Sequence, residues 1–190
     1  MASSQEEPFD SASLIRAASA AGEWTLEPSG SSVEFAVKHF WGMMTVRGGF
    51  AHLEGSAHVA SEGTVSAELG IEAGSVGTRQ KKRDAHLRSA DFFDAQNHPR
   101  IEVRISDITL DSPTTATARG SMTAAGHTEP VSFSATVAPS PDGQAATVEA
   151  TFDVDRTAFG MIWSPLHMAA GTAQVTAHLM FHRTTPPAIT

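Results

Sequence analysis

The chain contains no cysteine. That excludes a disulfide framework, a zinc–thiolate centre and a cysteine nucleophile. Basic charge is scarce, with 13 Lys and Arg against 21 Asp and Glu and a formal net charge of -8. A general nucleic-acid binder needs a net basic face, so nucleic acid is not an expected partner. Long apolar runs are missing, and with them any transmembrane helix or stable membrane insertion. The N-terminal MASSQEEPFD is acidic and polar, without the basic and apolar regions of a secretory signal. A cytoplasmic location is expected on that ground. No G-x-S-x-G elbow and no H-E-x-x-H helix occurs.

What is present suits one soluble domain: 190 residues, 41% hydrophobic and 18% charged. Residues 1–22 are rich in Ser and Ala and read as a flexible extension. TTPPAIT, 184–190, reads as a tail, since two prolines stop any strand. Between these ends, over 23–183, apolar residues recur every second position. Val33, Phe35, Val37 and His39 form one such row, and Val65, Ala67, Leu69 and Ile71 another. Val131–Val137, Val148–Val154 and Ala173–Phe181 continue the pattern, which is that of antiparallel strands with one wet face. Ile101, Val103 and Ile105 alternate, then the phase moves to Ile108 and Leu110, which predicts a bulge near Ser106–Asp107. Turn signals fall at EPSG 27–30, SEG 61–63, DSP 111–113, AAG 124–126 and SPDG 140–143. A sandwich and a closed barrel fit this pattern equally.

One stretch breaks the alternation. RDAHLRSADFFD, 83–94, packs charge beside aromatic surface, and its spacing predicts one or two short helices, the second capped by Ser89 or Asp91. Five basic residues, Arg79, Lys81, Lys82, Arg83 and Arg88, make either an anion site or a solvated face paired with Asp84 and Asp91. His86 beside Asp84 or Asp91 could work as a general acid/base set, but that needs a nucleophile or a metal. His178 and His182 would lie about 13 Å apart on a strand, too far to share one ion. No metal or other cofactor is therefore expected. Met43, Met44, Met161 and Met168 sit with Phe40, Trp41, Phe159, Ile162 and Trp163 where strands are interrupted. They suit an adaptable apolar mouth or an ordinary core end equally.

Several of these segments resemble the YceI-like, polyisoprenoid-binding family. They are WTLEPSGSSVEFAVKHF at 24–40, VRGGF at 46–50, RDAHLRSADFFDAQNHPRIEVR at 83–104, AGHTEPVSF at 125–133 and DRTAFGM at 155–161. The hairpin segment departs from the family in carrying Glu129 where a basic residue is usual. The resemblance implies an all-β fold, an antiparallel lipocalin-like β-barrel with a short helical cap between central strands. It also implies non-enzymatic binding of a long-chain amphiphile such as a polyisoprenoid with a quinone or pyrophosphate end. A barrel of this size is either filled by side chains or holds one ligand. Small inward residues, Ala67, Ala135, Ala150, Ala173 and Ala177, would leave room for a chain. The ligand tail is then expected along Phe35, Val37, Phe50, Leu69, Phe92, Phe93, Phe133, Phe152, Phe159, Trp163 and Phe181. Lys38, His39, Arg83, Asp84, His86, Arg88 and Asp91 would meet the head or fasten the cap. Two other readings stand beside it: an enzyme built on His86, and a filled barrel acting as a protein scaffold. An exposed Trp41 would favour a homodimer.

Overall fold

The structure is a computed structural model and describes residues 21–39, 42–61, 64–112, 114–164 and 169–184. The expectations for Phe40, Trp41 and Met168, and for most of the two terminal segments, lie outside the described residues. Strands dominate. In chain order they are β1 Gly22–Leu26, β2 Ser32–His39, β3 Met44–Phe50, β4 Leu53–Val59, β5 Val65–Glu72, β6 Val76–Gly77, β7 Arg100–Leu110, β8 Thr115–Ala124, β9 His127–Pro139, β10 Ala145–Asp155 and β11 Ala169–Arg183. One α-helix is described, α1 Lys81–Leu87, with single 3-10 turns at Pro28–Gly30 and Ala73–Ser75.

Eight strands close into an antiparallel ring, β1-β4-β5-β7-β8-β9-β10-β11, sealed by β11 returning to β1. The closure depends on the length of β11. One edge of β11 pairs with β10 over residues 172–182, while the other is shared. Residues 169–178 of that edge pair with β2, and 181–183 with β1. The hairpin β2–β3 and the short β6 thus extend the wall at one end.

The alternating rows face inward as their period requires. Val148, Ala150, Phe152 and Val154 of β10 oppose Leu179, Ala177, Val175 and Ala173 of β11, and all eight line the interior. Between them Glu149, Thr151 and Asp153 face water. This polarity is the reverse of a membrane-spanning barrel, which carries its apolar band outside. The register shift in β7 falls between Ile105 and Asp107, at the predicted bulge. Its partner is Gly120, where a Cβ would come 1.9 Å from the Arg104 carbonyl oxygen, so the kink has room for glycine alone. The AAG signal is a tight hairpin turn with Ala125 at φ 48° and Gly126 at φ 81°, both left-handed, which matches the twist of the flanking strands.

The charged stretch differs from expectation in one respect. A single helix forms, followed by turns through residue 97. Ser89 and Asp91 cap no second helix. The Ser89 hydroxyl instead accepts the Asp91 N–H at 3.4 Å, and the Ser89 carbonyl takes the N–H of Phe92 and Asp94. The chain folds back too tightly there for a second helical turn.

Candidate functional site

The barrel is hollow. A cavity of about 780 Å³ runs its length, and its wall is hydrocarbon apart from a few groups such as Ser61, Thr114, Thr115 and Arg156. A filled barrel is therefore overturned. The five small residues expected to leave room, Ala67, Ala135, Ala150, Ala173 and Ala177, all line this space. Phe133 and Phe152 stack face to face across the β9 and β10 wall, with ring centres 4.3 Å apart. At one end the cavity reaches the loops beside Ser61, Leu110 and Pro139. At the other it is closed by Phe93, Phe159 and Met161.

Seven of the eleven residues expected along the tail line this cavity: Phe50, Leu69, Phe93, Phe133, Phe152, Phe159 and Phe181. The other four do not. Phe35 lies behind the wall, with its ring 5.9 Å from Phe50 and 6.4 Å from Phe93. Val37, Phe92 and Trp163 line a second, smaller space of about 100 Å³. Phe92 and Phe93 are neighbours on a turn and so point to different chambers. Phe92 packs on His86 and Trp163 at 5.1 and 5.7 Å, while Phe93 meets Phe50 edge-on at 5.5 Å.

The residues expected at the head also divide. His39, Arg83 and His86 line the small space. Lys38 is exposed and lines neither. Asp84, Arg83 and Arg88 fasten the cap. The Asp84 carboxylate accepts the Thr78 N–H at 2.8 Å and its hydroxyl at 2.5 Å. These bonds, with Arg83 and Arg88 close by, hold its carboxyl below the usual carboxylate range. Arg83 donates from Nε to the Thr78 hydroxyl at 2.7 Å and from Nη2 to its carbonyl at 3.0 Å. Arg88 donates to the carbonyls of Gly74 and Val76 at 2.7 and 2.8 Å. Thr78, buried at 7% exposure, is the peg around which the cap is tied. Asp84→Ala leaves that peg's N–H and hydroxyl without an acceptor. It should destabilise the fold by about 1–3 kcal/mol, read as a lower midpoint in urea.

The acid/base set around His86 is partly taken apart. Asp84 is bonded to Thr78, so Asp91 is left as the carboxylate on the ring, at 2.8 Å from Nε2. The same imidazole packs edge-on against Trp163 at 4.4 Å.

The residue that the sequence reading passed over is Arg156, which among the described residues is the one that lines both spaces. It is 7% exposed. Its Nε donates to the Ala170 carbonyl at 2.8 Å, and its Nη1 to the carbonyls of Met161 and Trp163. Among the described residues no carboxylate forms an ion pair with it. The neighbouring Asp155 accepts instead from the N–H and hydroxyl of Thr157. Burial pushes the guanidinium down from its ordinary value, offset in part by Asp155. Its charge reaches His39, whose imidazole is held below 6.5, first by burial and then by Arg156 and Arg83. DRTAFGM was visible as a motif. That its arginine is buried and forms no ion pair among the described residues was not.

These features place the chain among known proteins. A sequence model of the YceI-like domain matches residues 24–181. A UPF0312 protein of Pectobacterium carotovorum is 30% identical over 142 residues, spanning 72% of each chain. A UPF0312 protein of Pseudomonas putida is 26% identical over 120 residues, and the match spans 62% of that relative's length. In fold, the crystal structure of Burkholderia cenocepacia BcnA superposes with a TM-score of 0.74 at 21% identity, covering 82% of this chain and 98% of that one. A polyisoprenoid-binding domain from Saccharophagus degradans, implicated in plant cell wall breakdown, gives 0.71 at 13% identity, covering 85% and 98%.

Proposed function

The chain belongs to the YceI-like domain family, and from that premise we propose that it binds, without catalysis, a long-chain amphiphile of the polyisoprenoid type. The observation that carries this reading is the apolar cavity of about 780 Å³ inside a closed barrel. That volume lies in the range of small-molecule sites, roughly 300–1,000 Å³. Burying a hydrocarbon chain there gains about 25 cal/mol per Å² before the ordering cost of the chain. The head would lie toward the small space, where His39, Arg83, His86 and Arg156 converge. A pyrophosphate or a quinone oxygen would find donors there. The polyisoprenoid-binding neighbour supports a lipid as the occupant. Among the described residues the His86 imidazole bonds to Asp91 and packs on Trp163, contacts that suit a structural part in the cap.

Native mass spectrometry on protein purified without detergent tests this directly. The expected result is a mass above the bare chain, with a long-chain amphiphile released into organic solvent. A bare mass that stays bare after addition of a prenyl lipid would sink the reading.

A further inference from the structure

We infer that the capped end of the barrel docks onto an anionic lipid bilayer. Two independent observations meet there, and the inference goes beyond the binding of a ligand inside the barrel.

The first is where apolar surface is left uncovered. Among the described residues the large hydrophobic side chains that stay exposed are Met43 at 79%, Ile162 at 73%, Met44 at 58%, Leu110 at 49% and Trp163 at 41%. All but Leu110 belong to two adjoining segments. Met44 pairs with His39, His39 pairs with Ala169, and the Ala169 N–H donates to the Ser164 hydroxyl at 2.9 Å, which brings Met44 and residues 162–164 to the same end. Trp163 joins the two through the small space it shares with His39 and Val46. A cluster of this kind on a polar barrel marks an interaction surface. Tryptophan in particular settles at a membrane interface, and exposed apolar side chains beside it can enter the acyl boundary.

The second is how the basic residues are partnered. On the barrel wall Arg100, Arg104 and Arg119 are each ion-paired, to Glu54, to Glu68 and Glu102, and to Asp107. At the capped end Lys38, Arg47, Arg79, Lys81 and Lys82 are exposed, and none forms an ion pair with a described carboxylate. Asp84, Asp91, Asp94 and Asp155 lie at the same end and keep their charge, but each is bonded to a partner other than these five cations: Thr78, His86, Asn97 and Thr157. A chain of net charge -8 thus carries at this end exposed cations, of which Lys38 and Arg47 share the β2–β3 hairpin with Met43 and Met44. Cations around an apolar tip are complementary to anionic headgroups over acyl chains, each contributing on the order of 1 kcal/mol at a bilayer surface. A second copy of this chain would set those cations against each other. The docking is peripheral, because the outward faces of the strands are polar.

Vesicle sedimentation tests the inference. With vesicles of equal parts phosphatidylglycerol and phosphatidylcholine at low salt, the protein should pellet, and with phosphatidylcholine alone it should stay in solution. Raised salt should release it, since exposed charges are screened. The Lys81→Glu, Lys82→Glu double variant should lower partitioning at least about tenfold. Met43→Ser with Ile162→Ser should lower it as well. All four positions are exposed, so the fold is kept, and uptake of a prenyl probe into the cavity should be unchanged by either pair. Absence of pelleting with anionic vesicles, or equal pelleting of the charge-reversed variant, overturns the inference. So does a dimer in velocity sedimentation that Met43→Ser disperses, in protein that ignores vesicles. That result would assign the surface to a second copy.

Discussion

Phe133→Asp is expected to lower affinity for a fluorescent prenyl probe by about 100-fold, the effect of roughly 3 kcal/mol. The side chain lines the cavity and stacks on Phe152 at 4.3 Å. Its replacement removes an aromatic pair, worth about 0.5–1.5 kcal/mol beyond area. It also places a carboxylate against the path of a hydrocarbon chain, where ionised groups are strongly disfavoured. The matched control is one residue away. Ser132 and Ser134 face outward on the same strand, so Ser134→Asp adds the same charge to the same element and should leave binding unchanged. Equal affinity in wild type and Phe133→Asp would remove the cavity from the account of binding. A loss shared by both aspartate variants would point to a general charge effect instead.

Arg156→Met should have two separable consequences. Its methylenes are replaced by a flexible apolar chain of similar reach, but the carbonyls of Ala170, Met161 and Trp163 lose their donor. The expected cost is on the order of 3 kcal/mol in the unfolding free energy, measured with urea. The second consequence is electrostatic and can be read in the folded variant. His39 is held below 6.5 by burial, then by Arg156 and Arg83. Without Arg156 its NMR titration midpoint should rise. The sign for stability follows from the same shift. A histidine depressed in the folded state binds fewer protons than the unfolded chain between the two midpoints. The native protein therefore loses stability as pH falls from about 6.5 toward the depressed value, and Arg156→Met should shrink that loss. Binding should divide by headgroup too: a prenyl pyrophosphate should lose more affinity than the matching neutral prenyl alcohol. An unmoved His39 midpoint would show that the guanidinium charge does not reach the small space.

The alternation was legible where side chains are large. β2, β5, β7, β9, β10 and β11 all contain the expected rows. Five strands escaped notice: β1, β3 and β6, which are short or carry no clear alternating row, and β4, Leu53-Glu-Gly-Ser-Ala-His-Val59, and β8, whose inward positions include Ala116 and Ala118. In β4 and β8 the inward residues are mostly small, so they carry little hydropathy contrast, and that smallness helps to leave the cavity open. The bulge in β7 was readable because a shift of one residue flips every later side chain to the other face. Phe92 and Phe93 could not be assigned in the same way, because on a turn there is no period to say which chamber each one enters.

By itself, the sequence determined that the fold would be antiparallel β with one apolar face per strand, and that a charged, aromatic segment would interrupt it. Period-two hydropathy is a local property and survives without any knowledge of partners. Tertiary structure alone decided that the eight-strand ring stays hollow, since emptiness is a sum over side chains from every strand. It alone decided that Arg83, Asp84 and Arg88 spend their hydrogen bonds on residues 74–78, and that Arg156, distant in sequence from the cap, is buried beside it with no ion pair among the described residues. Burial and pairing of a charge depend on which segments close around it, and that information lies in the folded contacts between strands far apart in the chain.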